Sequence, residues 1–405
     1  MSEDHQHARL SPSASERWIS CPASVLEIEA LPPGDDEGDW YAQEGTIAHA
    51  LAEIRGRVHF GHITKEQGKR ELNKWRKDNG VDAHMENEMW GHVDTWLKVL
   101  QTFYDEHPGT QIFFEQRLDT GVPSSWGTTD AALVSPKHIY VVDFKYGAGV
   151  QVDAEENSQT RLYGLGILDE YDILGTVEEV TLVIVQPRIE NSIGDPHISM
   201  ETLTTQEILA WREEIIPIAK VALLPDAPYG PSAKACRWCP LSGKCRAQIE
   251  SIFDDTPVDF ESDPAVLTPE ETAELLEVIP RIKDWVNSFE ATALHRAYDL
   301  DQKIPGWKVV MSGGRRTCND EAAVLDTLKE KGFKLDDITT RKIVGIGVLE
   351  GLLGKKGFTE TLGVFYPKSK GKPSLVPDTD NRPALNRESE AASIFGEEVQ
   401  ADDLL

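Results

Sequence analysis

Long apolar runs are missing from this chain of 405 residues. None approaches the roughly 20 consecutive apolar residues that carry a helix across a bilayer, which excludes a helical membrane protein. Cationic residues are scarce beside anionic ones: 41 Lys and Arg face 69 Asp and Glu, for a net charge of −28. Phosphate binding draws on a basic face, so this balance argues against a protein that grips nucleic acid with its whole surface. It leaves room for a local basic channel. Cysteine is sparse too, at five residues, far short of a disulfide-stapled scaffold. No usable nucleotide-binding loop is present. Gly61 to Arg70 (GHITKEQGKR) has the wrong glycine spacing and lacks Ser or Thr after Lys, so any strand unwinding would need a partner. No internal repeat is visible. The opening MSEDHQHARLSPSASERW has no apolar core of a secretion signal, and the expected location is cytoplasmic.

What is present reads as ordinary folded protein, with 40% apolar and 27% charged residues, enough for two or three domains. Basic residues gather at Lys65, Lys69, Arg70, Lys74, Arg76 and Lys77, and again at Lys234, Arg237, Lys244 and Arg246. Acid concentrates from Asp254 to Glu277 and after Asp378.

Periodicity predicts helices over residues 11–30, 41–57, 64–78 and 86–106. Strand-like runs follow at Ile112–Phe114, 127–134 and 138–144, with Ser135-Pro136-Lys137 turning between the last two. A helix over 155–170, a buried strand over 178–186 and a helix over 205–222 complete a mixed sheet flanked by helices, an α/β fold. Thr268-Pro269-Glu270-Glu271 is a capping box that opens a long helix, which Pro280 should kink. The expected domains are 1–255, a mostly helical 256–367, and a disordered acidic tail over 368–405.

The chemistry centres on Asp130 and on Asp143-Phe144-Lys145. The two acids are 13 residues apart, on adjacent strands of one hairpin. Asp143 and Lys145 alternate onto one side, and Asp130 can sit beside them across the ladder. Two adjacent carboxylates need a neutralising partner, and a hard divalent cation supplies it. The carbonyl of Phe144 could complete such a site. A bound cation acidifies water and offsets phosphoryl charge, and Lys145 would position that water or stabilise the transition state. Gly45 and His49 share a helix face; a small Gly45 permits close backbone approach, and His49 is a further candidate ligand. Gln159 and Tyr163 share another helix face, and an amide with a hydroxyl suits a phosphate or a catalytic water.

The order Gly45/His49, Gly127/Asp130, Asp143/Lys145, Gln159/Tyr163 resembles the RecB-type branch of the PD-(D/E)XK nuclease superfamily, as does the opening SPSASERWISCPAS. The resemblance covers residues 11–250. It implies a PD-(D/E)XK core, with His49, Asp130 and Asp143 on Mg²⁺ or Mn²⁺ and Lys145 catalytic. Gln159 and Tyr163 would then touch substrate or orient the catalytic groups. The chain carries Asp where many members have Glu in the central motif, a difference the superfamily tolerates. Glu115, on the preceding strand, is not counted among the site residues. More narrowly, the whole chain resembles a phage and prophage family described as a domain of unknown function, with Pro305-Gly306-Trp307 and Gly371-Lys372-Pro373 in its pattern.

Cys236, Cys239 and Cys245 stand in a C-x2-C-x5-C spacing, and a tetrahedral zinc or a [4Fe–4S] cluster requires a fourth ligand. Cys21 is the candidate, although 215 residues separate it from Cys236. One cysteine before the core and three after it resembles the iron–sulfur staple of RecB-type exonucleases and CRISPR spacer-acquisition nucleases, which tilts the expectation toward iron–sulfur. Cys318 is expected to be a free thiol. The expected function is therefore a metal-dependent nuclease that processes DNA ends or single strands, with a phage recombination or helicase partner. A catalytically inactive module that binds nucleic acid or protein is the second hypothesis, and a redox or metal-handling protein the third.

Overall fold

The computed structural model describes residues 8–31, 40–81, 83–172, 174–190, 194–254, 268–309, 354 and 356–361. The chain divides into two compact units, Met1–Val310 and Met311–Leu405. The expected boundary at 255, the acidic tail and Cys318 lie outside the described residues.

The first unit is a mixed α/β fold around one five-stranded sheet in the order β1-β2-β3-β4-β5. The strands are β1 (Gln111–Asp119), β2 (Trp126–Val134), β3 (His138–Phe144), β4 (Glu179–Glu190) and β5 (Pro196–Thr204). Neighbouring strands run antiparallel except β3 and β4, which run parallel. A parallel pair requires a crossover, and α6 (Ser158–Tyr171) provides it.

Strand alternation on β3 explains the layers. Tyr140, Val142 and Phe144 enter one core with α3 (Trp40–His59), α4 (Lys65–Asn79) and α5 (Ala83–Glu106). Ile139 and Val141 enter the other with α6 and α7 (Thr205–Ala222). Both faces being covered makes β3 a continuous apolar run, and the acid that ends it stands out. Strand β5 was not anticipated. It is a polar edge strand whose Ile198 and Met200 are exposed, so it lacks the apolar signature of a buried strand.

The single helix expected over 11–30 is instead a 3₁₀ turn (Pro12–Ala14) followed by α1 (Ser15–Ser20) and α2 (Ser24–Glu29). The break falls at Cys21-Pro22, where proline disfavours helix in the residue before it. Beyond α7, the short helices α8 (Ala233–Arg237) and α9 (Arg246–Asp254) lead to α10 (Pro269–Tyr298), whose capping box is present as expected.

Candidate metal centre

The centre is built where β3 ends beside the middle of β2, with α3 and α6 close by. Register pairs Ala131 with Val142, and one residue further along the same antiparallel register sets Asp130 across from Asp143. His49 Nδ1 donates to Asp130 Oδ1 at 2.9 Å, and the Phe144 amide donates to Asp130 Oδ2 at 2.7 Å. On the other side, Lys145 Nζ lies 3.1 Å from Asp143 Oδ2 and donates to Gln159 Oε1 at 2.9 Å. Gln159 Nε2 in turn reaches Asp143 Oδ1 at 3.3 Å. Tyr163, one turn later on α6, bonds to Gln159. The ring of Tyr163 sits 3.0 Å from where a side chain on Gly127 would begin, which explains a glycine at that position. His49, Asp130, Asp143, Lys145, Gln159 and Tyr163 meet here, and Phe144 takes part through its amide. The Gly45 expectation finds no support: among the described residues nothing lies within 4 Å of a side chain built there.

Asp143 is 3% exposed, and its Oδ2 has an ion-pair neighbour but no properly directed hydrogen bond. Burial raises the Asp143 carboxyl above its ordinary range; Lys145 opposes this, while the charge of Asp130 adds to it. Burial works against ionising Asp130 as well, but the charge and hydrogen bond of His49 override it and hold that carboxyl low. His49 responds reciprocally: burial would lower it, and Asp130 carries it up to about 9. Each carboxylate thus has one cationic partner, His49 for Asp130 and Lys145 for Asp143, and a divalent cation bound here would compete with both.

Glu115, set aside on sequence grounds, belongs here. Among the described residues, His49, Glu115 and Asp130 form a group whose ligand atoms lie within 4.8 Å of one another. Asp143 does not join that tight set. Strand β1 pairs Phe114 with Ala131 and Gln116 with Thr129, so Glu115 falls opposite Asp130. Its φ of 47° is unusual for a residue inside a strand. Glu115 is exposed, yet the hydration lost on its inner side, then the charge of Asp130, pushes its carboxyl up to about 7. The signal in the sequence was an acid on the strand that pairs with the Asp130 strand; the backbone kink that aims it was not legible.

The four cysteines are free thiols, and Cys21, Cys236, Cys239 and Cys245 line one cavity with Arg17 and Tyr229. Two contacts bring the distant Cys21 into place. The Ala23 amide donates to the Pro228 carbonyl at 3.1 Å. Gly230 lies so close to Ser20 that a side-chain carbon would fall 1.9 Å from its carbonyl oxygen. Burial pushes the Cys236 and Cys239 thiols up, while Arg17 pulls Cys239 back. No three of the sulfurs form a group as tight as 4.8 Å. Helix α10 packs here rather than over the acidic centre: Gly243, at φ 79°, leaves only 2.4 Å between a would-be side chain and Ser288.

A family model described as "Protein of unknown function (DUF2800)" matches residues 7–383, and the chain belongs to that family. A solved structure titled "Crystal structure of SSO0001" aligns at 16% identity over 49% of this chain and 85% of that one, with a TM-score of 0.21. At that score the likeness carries no argument.

Proposed function

We propose that this DUF2800 member hydrolyses phosphodiester bonds in DNA with a divalent cation, on a core of the PD-(D/E)XK nuclease type. The observation that carries this reading is the network joining Asp130, Asp143, Lys145 and Gln159, with a buried carboxylate oxygen on Asp143 left without a hydrogen bond. Held by an ion pair but by no directed hydrogen bond, that oxygen keeps a lone pair open to a ligand. The donor set of carboxylates, imidazole and a strand-end backbone fits Mg²⁺ or Mn²⁺.

When bound, the cation supplies Lewis-acid polarisation of a phosphoryl oxygen and acidifies water. The protein's own groups do the rest. Gln159 holds the Lys145 ammonium by its amide oxygen, so the charge is aimed before substrate arrives. Lys145 then holds the attacking water, or the charge that develops on phosphorus-bound oxygen. Tyr163, kept neutral by burial and by Asp143, accepts from the Gln159 amide, which leaves its hydroxyl proton free to donate to a substrate oxygen. With no nucleotide-binding loop in the chain, substrate arrives as an end or as an already opened single strand, or a helicase or recombination partner delivers it.

We also propose that Cys21, Cys236, Cys239 and Cys245 hold a metal group, an iron–sulfur cluster in preference to zinc. All four are free and face one cavity. A tetrahedral Zn–S distance of about 2.3 Å sets sulfurs roughly 3.8 Å apart, so zinc would have to draw these thiols in. Arg17, whose buried Nε has no hydrogen-bond partner, would offset the charge of the bound thiolates.

End-labelled linear and circular DNA, incubated with Mg²⁺ or Mn²⁺, tests the hydrolytic reading. Wild type is expected to cut and Lys145→Ala to leave the substrate intact. If both leave every substrate whole, the chain is a binding module instead.

A further inference from the structure

We propose that Glu115 is a cation ligand, and that His49, Glu115 and Asp130 together form a divalent-cation site that favours Mn²⁺ over Mg²⁺. The proposal concerns the centre described above and rests on the hydrolytic reading for its purpose. Its geometry stands apart from that reading.

The ligand atoms of these three residues lie within 4.8 Å of one another, a set that does not take in Asp143. The two carboxylates of the hairpin thus face different company. Asp143 is engaged by Lys145 and Gln159, whereas Asp130 turns one oxygen to His49. Glu115 approaches from the neighbouring strand, opposite Asp130. A regular strand would not require a left-handed backbone at this point, yet Glu115 has φ 47°. Departures of this kind cluster where a side chain is aimed at a ligand.

A second observation concerns Asp143, which the set leaves out. Its carboxylate is 3% exposed and has a buried oxygen 3.1 Å from the Lys145 ammonium but without a properly directed hydrogen bond, and the charge of Asp130 repels it. A cation on the far side of Asp130 would lessen the repulsion that Asp143 meets there. Choice of ion follows from donor type. Mg²⁺ takes oxygen ligands and keeps much of its water, while an imidazole nitrogen beside two carboxylates suits a transition ion such as Mn²⁺. His49 is half-buried with its Nδ1 already held toward Asp130, so the ring is oriented in advance.

The test is titration of the cation-free full-length protein with Mn²⁺ and with Mg²⁺, followed by electron paramagnetic resonance for Mn²⁺ and by calorimetry for both. The variants are Glu115→Gln, Asp143→Asn and, as a control, Glu66→Gln, in which the altered residue pairs with Lys69 at the surface. Wild type is expected to bind Mn²⁺ at least tenfold more tightly than Mg²⁺. Glu115→Gln should weaken Mn²⁺ by about tenfold or more, Asp143→Asn by less, and Glu66→Gln not at all. Glu115→Gly keeps the test decisive if the amide disturbs folding, because glycine adopts this backbone without strain: it should melt no lower than wild type and still lose Mn²⁺. Unchanged Mn²⁺ affinity in the Glu115 variants overturns the assignment, as does an effect confined to Asp143→Asn. If Mn²⁺ binding depends on Glu115 but no DNA is cut, the cation site stands and the hydrolytic reading falls.

Discussion

Strand β3 carries clusters of titratable side chains at both ends, and the two are built to opposite rules. At its start, Tyr140 donates to Glu106 at 2.9 Å, and His107 Nε2 lies 3.1 Å from the same hydroxyl. His138 Nε2 meets Thr181 Oγ1 at 2.8 Å, and its ring stacks on Tyr140 at 4.2 Å. Each of these polar groups has a partner there. At the other end, two acids face each other across the hairpin, a third approaches on a kinked backbone, and a buried oxygen goes without a directed hydrogen bond. A satisfied polar cluster stabilises a fold. An unsatisfied one persists when a ligand completes it, and that difference, rather than residue type, separates the two ends.

Four substitutions sharpen this contrast. Lys145→Ala should lower DNA cleavage by at least 10²-fold, the scale of losing one preorganised transition-state contact, with melting temperature held within a few degrees. The same assay on Tyr140→Phe should show wild-type rates. Away from β3, Cys239→Ala should strip the metal group, seen as loss of broad absorption near ~400 nm in anaerobically purified protein, and should lower solubility. A colourless wild type that holds zinc would reject the iron–sulfur version.

Asp143→Asn should stabilise the cation-free protein by about 1–2 kcal/mol in urea unfolding, the scale of relieving an unsatisfied buried group, while abolishing cleavage. The sign follows from linkage. Asp143 is raised in the folded state, so its contribution is fully present below the ordinary carboxylate range and is lost as pH rises through the folded value. With chelator present, wild type should therefore lose more stability than Asp143→Asn as pH climbs out of that range. Tyr140→Phe carries the smallest effect, a loss of about 1 kcal/mol from deleting a satisfied hydrogen bond. If Tyr140→Phe proved stabilising and Asp143→Asn destabilising, the contrast between the two ends would collapse.

Much of the centre was legible because strand and helix periods are local. The 13-residue interval from Asp130 to Asp143 spans one hairpin, and Gln159 and Tyr163 fall one turn apart on the next helix. Glu115 was missed because its placement depends on a positive φ, which a glutamate does not advertise. Gly45 misled for the opposite reason: glycine suggests a close approach, and none of the described residues comes within 4 Å of a side chain built there. Strand β5 escaped because an exposed edge needs no apolar alternation. Helix α10 announced its start through a capping box but not its neighbour, since packing partners are set by shape.

By itself the sequence determined the elements that short-range physics controls: the β2–β3 hairpin, the capped helices, the apolar β3 ending in an acid and a lysine, and the cysteine spacing. Only the tertiary structure decided which side chains share a centre. It turned Glu115 toward Asp130, left Asp143 to Lys145 and Gln159, and carried Cys21 to a cavity formed by residues more than 200 positions away. The reason is physical. Local backbone preferences act over a turn or a rung, whereas the meeting of distant charges is settled by the packing of helices on both faces of the sheet, which no short window of sequence contains.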